Sequence, residues 1–261
     1  MEARPPAKRA AKAPRPRVPF AEVMAELEAA GTAQALKTYR RHGVTGPSFG
    51  TSFATLKVLM KRIDVDHELA LALWDTGNFD ARNLAVKIVD PSRMGEAELD
   101  RWASEASQAI GCGTYVAGLA GEGPYGLSRV RAWLASSNHA QVLAGWSLVG
   151  QLAARDESLP DAFFLEQLAV IERSIHSAEN AVRYGMNGTL IGVGLRNPTL
   201  RDAALAAAAR IGPVEVDHGN TSCETPDARA SITKAWAHAE GKGFASPAAQ
   251  ERKRDLPRRR C

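Results

Sequence analysis

The segment from Asn197 to Gly212 carries a start, a stripe and a stop for a single helix, and it sets the terms for the rest of the chain. Asn197 is a good N-cap, and Pro198 fits the first helical position, where a missing amide hydrogen costs nothing. Leu200, Ala203, Ala204, Ala207 and Ala208 recur at helical spacing, and Gly212 followed by Pro213 ends the run. A face made mainly of alanine lets a neighbouring helix approach closely. The segment therefore reads as one member of a stacked helical array.

The same grammar repeats upstream. Residues 20–30 place Val23, Met24 and Leu27 on one face before Gly31, and Thr32 opens a second helix with Leu36 and Tyr39 that stops at Gly43. Residues 43–50, with Pro47, form a loop. Residues 52–63 carry Phe53, Leu56, Leu59, Met60 and Ile63 at helical spacing, and 67–74 follow with Asp66 as cap. No convincing period-two alternation occurs, so the fold is predicted to be all-α. Three segments, beginning at Phe79, Glu179 and Thr199, share an arginine near the helix start (Arg82, Arg183, Arg201) ahead of small residues. The segment 138–153 keeps the apolar part but has Leu143 in place of the arginine. Such irregular repetition predicts a HEAT-like helical-repeat solenoid, whose helix pairs bury a continuous core only by stacking.

Charge divides unevenly along the chain. Residues 1–18 hold six basic residues against Glu2, and 251–261 hold six more against Glu251 and Asp255. Removing these +5 and +4 contributions from the net +4 leaves 19–250 at −5. The expected organisation is a basic disordered tail over 1–18, a repeat domain over 19–243 and a second basic disordered tail over 244–261, the tails attracting polyanions without reading sequence. Cys112, Cys223 and Cys261 show no CxxC spacing, so reduced thiols are expected, with neither a disulfide framework nor a zinc module. No apolar run reaches the ~18 residues of a membrane span and no secretory signal is visible, which predicts a cytoplasmic protein with no membrane partner. No cofactor or metal is expected.

The stretch from Leu73 to Ala85 contains Leu-Trp-Asp-x-Gly-x-Phe-x-Ala-Arg, preceded by the 52–63 helix and followed by 94–102. It resembles the DNA alkylation repair proteins related to AlkD, HEAT-like glycosylases that remove alkylated purines, and the resemblance covers about residues 40–240. It implies the solenoid fold. In the active relatives a later Trp-Trp-Asp-x-x-Asp-like motif supplies a tryptophan that contacts the lesion nucleotide and an aspartate that stabilises the cationic sugar. Here Gln108 and Ala109 stand at the tryptophan positions, and Ile110 and Gly113 at the aspartate positions. Leu143 replaces a functional arginine, and Gly188 falls near a second tryptophan. An oxocarbenium-like transition state needs a nearby anion, a preorganised charge being worth about 2.7–4 kcal/mol. Glycine offers none.

The resemblance and the residues together predict a DNA-binding protein of this family that does not excise bases, with weak, salt-sensitive contacts to double-stranded DNA. The alternatives are a glycosylase whose carboxylate has moved to Glu105, Glu122 or Asp217, and a scaffold that binds a protein partner on its concave face. Lys57, Lys61, Arg82, Arg183 and Asn187 are the nucleic-acid-binding candidates. Lys57 and Lys61 are one turn apart beside Arg62, near Lys37, Arg40 and Arg41. Arg183 and Asn187 are also four apart, placed either to meet a phosphate or to bond carbonyls between repeats. Asp217, His218 and Cys223 lie in the most unusual loop, 211–228, as a possible functional cluster, although their spacing matches no standard zinc pattern. Thr225, with Pro226 and Asp227, is predicted to cap the last helix. Trp74, Trp102, Trp133 and Trp146 are expected in the core.

Overall fold

The computed structural model describes residues 17–106 and 112–259, and the side chains from 113 onward in the second span. The described residues form fourteen α-helices and three short 3₁₀ turns, with one isolated bridge between Gly31 and Thr51 and no strand. The first four helices are α1 (Phe20–Ala29), α2 (Ala33–Arg41), α3 (Phe53–Ile63) and α4 (His67–Asp75). Next come α5 (Phe79–Ile88), α6 (Glu96–Glu105), α7 (Cys112–Glu122), α8 (Gly126–Leu134) and α9 (His139–Arg155). The array closes with α10 (Asp161–Ser174), α11 (Asn180–Gly194), α12 (Pro198–Ile211), α13 (Ala228–Gly241) and α14 (Pro247–Glu251).

Side-chain caps fix most of the starts. Thr32, Ser52, Asp66, Asn78, Asn138 and Asn197 each accept a backbone N–H from the first turn of the following helix. Gly212 ends α12 at φ 74°, a left-handed conformation that glycine adopts without the Cβ clash of other residues. One expected cap is different. Asp227, not Thr225, accepts from Ala230 N at the head of α13, and the Thr225 hydroxyl bonds His218 instead. Two residues separate the candidates, and the carboxylate, being charged, is the better acceptor for a helix N-terminus.

The helices stack in two layers. Helices α3, α5, α7, α9, α11 and α13 pack consecutively in one row, and α4, α6, α8, α10 and α12 cover its back. Close approach depends on small residues. A Cβ on Gly192 would lie 3.2 Å from Gly150 Cα, and one on Gly185 would meet Leu143 Cδ1 at 2.6 Å, so α9 and α11 sit nearly backbone to backbone. Thr189 Oγ1 donates to Trp146 O across the same seam at 2.6 Å. One buried apolar cluster runs from Val23 to Trp236, including Ala204, Ala207 and Ala208 from the alanine stripe. Continuity of the core through every repeat is what stacking of incomplete units requires.

The C-terminal expectation fails. Residues 244–259 are ordered against the array: α14 is followed by a 3₁₀ turn at 257–259, and the segment runs back along the carboxyl-terminal ends of the inner helices. Ala248 N donates to Leu195 O beyond α11, Arg252 to Ala154 O at the end of α9, and Arg258 to Val86 O and Lys87 O at the end of α5. Arg258, 3% exposed, also pairs with Glu122 at the end of α7 at 2.7 Å, and Arg259 reaches Asp64 beyond α3. Helix C-termini leave four carbonyls without intrahelical partners and carry the negative end of the dipole, so guanidinium groups satisfy both. The basic residues complement acceptors inside the molecule, which composition alone does not reveal. The N-terminal tail expectation falls on residues 1–18, of which 1–16 lie outside the described residues.

Candidate nucleic-acid interface

The Leu73–Ala85 signature is built into the scaffold. Trp74 is fully buried and stacks on Trp102 at 4.1 Å with the rings 4° from parallel, while its Nε1 donates to Glu105 Oε2 at 2.8 Å. Asp75 pairs with Arg101 at 2.8 Å, Asn78 caps α5, and Phe79 packs on Tyr39 with centroids 5.1 Å apart. Asp80, almost fully buried, accepts from Ser48 Oγ and from the backbone N–H groups of Phe49, Gly50 and Thr51. That one carboxylate fixes the 43–50 loop against the array, because a buried charge is tolerated only when fully hydrogen-bonded.

Arg82 is part of the same assembly. Its guanidinium donates to Trp74 O, Glu105 O and Glu105 Oε2 and lies 4.8 Å from the Trp74 ring centroid. Arg82, expected at the DNA, thus joins α4, α5 and α6 through these bonds. The four tryptophans expected in the core are all there.

Lys57 and Lys61 are both exposed on α3, one turn apart. Arg62 turns away to Glu26 at 2.7 Å and Glu22 at 3.5 Å. Arg40 is tied to Val44 O and Gly46 O, leaving Lys37 and Arg41 as the exposed cations of α2 without such ties to the loop.

Arg183, Asn187, Asp217 and His218 are brought together by the 212–227 loop lying along α11. Arg183 donates to Glu215 O, His176 O and Ala178 O, and the 1%-exposed Asn187 donates to Pro226 O. These are the carbonyl-bonding roles. Asn180 exchanges two bonds with the backbone of Asp217, whose carboxylate receives Gly219 N in a turn. His218 Nε2 and Thr225 Oγ1 lie 3.0 Å apart, and Cys223 is an exposed thiol. Among the described residues no group of three metal-ligating side chains occurs. The loop is a clamp on α11, and beside it Tyr184 of α11 faces out, its ring meeting His218 edge to face at 5.6 Å. The sequence gives little signal for Tyr184, because an aromatic between Arg183 and Gly185 does not say which side of α11 it lies on.

The positions compared with the catalytic motif divide in two. Gln108, Ala109 and Ile110 lie outside the described residues. Gly113 is in the first turn of α7, Leu143 packs beside Gly185, and Gly188 faces open space, with nothing within 4 Å of a would-be Cβ. The alternative carboxylates are all engaged: Glu105 by Trp74 and Arg82, Glu122 by Arg258, and Asp217 by Gly219. Glu122 lines a cleft of 390 Å³ with Gly118, Gln151, Arg155 and Pro257, and burial pushes its carboxyl above the ordinary value against the attraction of Arg258.

A two-layer superhelix whose arginines and tryptophans knit the repeats defines the chain as a HEAT-like repeat protein. A family model described as DNA alkylation repair enzyme matches residues 23–232, and the chain belongs to that family. It is 28% identical over 223 residues to the uncharacterized protein Lin0241 of Listeria innocua serovar 6a, covering 84% of this chain and 97% of that one. Lmo0209 of Listeria monocytogenes serovar 1/2a is 27% identical with the same coverage. A solved structure described as a new family of proteins related to the HEAT-like repeat DNA glycosylases, with affinity for branched DNA structures, matches with a TM-score of 0.77 and 29% identity. That match covers 87% of this chain and 96% of the other. Among the described residues no helix is long and apolar enough to cross a membrane.

Proposed function

We propose that the protein binds DNA, branched DNA included, along the inner surface of the superhelix and removes no base. The observation that carries the reading is the likeness over most of both chains to a protein with affinity for branched DNA. Lys57 and Lys61, exposed together on the first inner helix, supply backbone contacts. Such contacts position a duplex without specifying sequence and weaken with added salt. The absence of excision is supported by the carboxylates, since Glu105, Glu122 and Asp217 each hold a structural partner. Freeing any of them would unmake a contact of the scaffold.

The test is single-turnover base release from duplex DNA containing an alkylated purine, with protein in large excess, beside a mobility shift on the same samples. Retained shift with release at the protein-free rate is expected. Release well above that rate, abolished by a carboxylate substitution, would establish a glycosylase. A protein lacking residues 1–16 that binds no DNA at low salt would overturn the DNA-binding reading of the array.

A further inference from the structure

Tyr184 has no structural task that explains its exposure. It is 47% exposed in a helix whose other large side chains are mostly buried. Its direction follows from its neighbours on α11. Gly185, Thr189 and Gly192 face α9, while Arg183, Asn187 and Gly194 face the 212–227 loop and α13. Met186, Leu190 and Val193 point back into the core. The remaining stripe, in which Tyr184 and Gly188 are exposed and Ala181 and Ile191 half-buried, therefore lies on the inner surface, opposite the outer layer.

Three features make this stripe more than an exposed ring. His218 meets the Tyr184 ring at 89° and is itself held to Thr225, so the platform is braced by a loop that Asn180, Arg183 and Asn187 anchor. One turn on, Gly188 leaves open floor where any side chain would intrude. Across the seam, partly buried Leu143 gives an apolar wall beside Gly185. The result is a flat aromatic face, rigid on one side and empty in front.

We propose that Tyr184, braced by His218, is a stacking platform for an unstacked nucleobase of bound DNA, an inference that rests on the DNA-binding reading above. Base pairs at a branch point lose a stacking neighbour, and an aromatic face replaces it whatever the base, since every base presents a π-face. The surroundings favour a base over a phosphate: the neighbouring guanidinium, Arg183, is turned to the carbonyls of Glu215, His176 and Ala178. Selectivity for branched over linear DNA then comes from Tyr184, while Lys57 and Lys61 serve both.

The experiment compares the full chain with Tyr184→Ala, Tyr184→Phe and Gly188→Leu on a four-way junction and on a linear duplex of equal length, with 2-aminopurine at the branch point. Tyr184→Ala should weaken junction binding about 5- to 150-fold, the loss expected for one stacked base, and leave duplex binding unchanged. Tyr184→Phe should stay within about twofold, because the ring face is retained. Gly188→Leu should weaken junction binding by filling the floor, and fluorescence quenching at the branch point should disappear in both weakened variants. Wild-type junction affinity in Tyr184→Ala, or equal losses on junction and duplex, overturns the platform alone. A wild-type chain that binds neither DNA overturns the DNA-binding reading and the platform with it.

Discussion

Lys87 and Arg258, 171 positions apart, hold each other by their backbones: Lys87 Nζ donates to Arg258 O at 2.8 Å, and Arg258 Nη1 donates to Lys87 O at 3.1 Å. Two cations meet without repulsion deciding the outcome, because each points into the other's carbonyl dipole. The Lys87 ammonium also lies 4.1 Å from the Tyr115 ring centroid and the Arg258 Nε pairs with Glu122. The 257–259 turn is thus sewn to the second inner helix.

Replacing Arg258 by Ala should destabilise the fold by about 3–5 kcal/mol, since it leaves Glu122 buried without its partner and the side-chain bonds to Val86 O and Lys87 O unmade. Urea unfolding followed by circular dichroism measures it. A loss below about 0.5 kcal/mol, the range of ordinary surface changes, would show that the segment is not held as described.

Glu122 gives a pH signature. Its carboxyl is raised above the ordinary 4.5, chiefly by burial, so the folded state keeps this proton longer than the unfolded state. Its contribution to stability is therefore full below 4.5 and declines as pH rises through the raised value. The difference in stability between wild type and Glu122→Gln, followed across acid to neutral pH, should carry that slope. Glu68 and Glu172, held low by hydrogen bonds from Arg93 and Arg210, drive the opposite trend and cancel in the difference.

Basic residues should separate into two behaviours. Lys57→Ala with Lys61→Ala should leave stability within about 0.5 kcal/mol but lower the slope of log affinity against log salt by up to about 1.8, two phosphate contacts' worth. Arg82→Ala should do the reverse, costing about 1–3 kcal/mol through unpaired acceptors at Glu105 and Trp74 O, with the salt slope retained in the folded fraction. The two measurements together decide whether Arg82 belongs to the scaffold.

Asp80→Asn should loosen the 43–50 loop, because an amide cannot accept all four bonds that the carboxylate receives. Hydrogen exchange at Phe49, Gly50 and Thr51 should accelerate, while exchange in α11 and α12 stays as in wild type.

Helix positions were legible in the sequence because their causes are local. Thr32, Ser52, Asp66, Asn138 and Asn197 announce starts by the oxygen they present one turn ahead, and Gly212 announces a stop. Side-chain roles were less legible because their partners are distant. Arg82 and Arg183 look alike in sequence to DNA-facing arginines, and only the positions of Glu105 and the 212–227 loop show where their donors go. The basic C-terminal stretch misled for the same reason: charge pattern reports sign, not partner. Thr225 and Asp227 are both competent caps two residues apart, and the loop's need for a hydroxyl beside His218 separates them. Tyr184 was hidden by convention, since an aromatic among apolar residues reads as core until the exposed side of α11 is known.

The strap from 247 to 259 changes the mechanics of the array. Stacked repeats behave as a spring, because each touches only its neighbours and small rotations accumulate along the axis. Here the carboxyl-terminal edge is tied from α11 to the end of α3, so that edge keeps its length. Any widening of the inner channel must come from the opposite edge, where the 212–227 loop rests on α11. The molecule bends as a bow strung along one side, and the strung side sets the curvature of the inner channel.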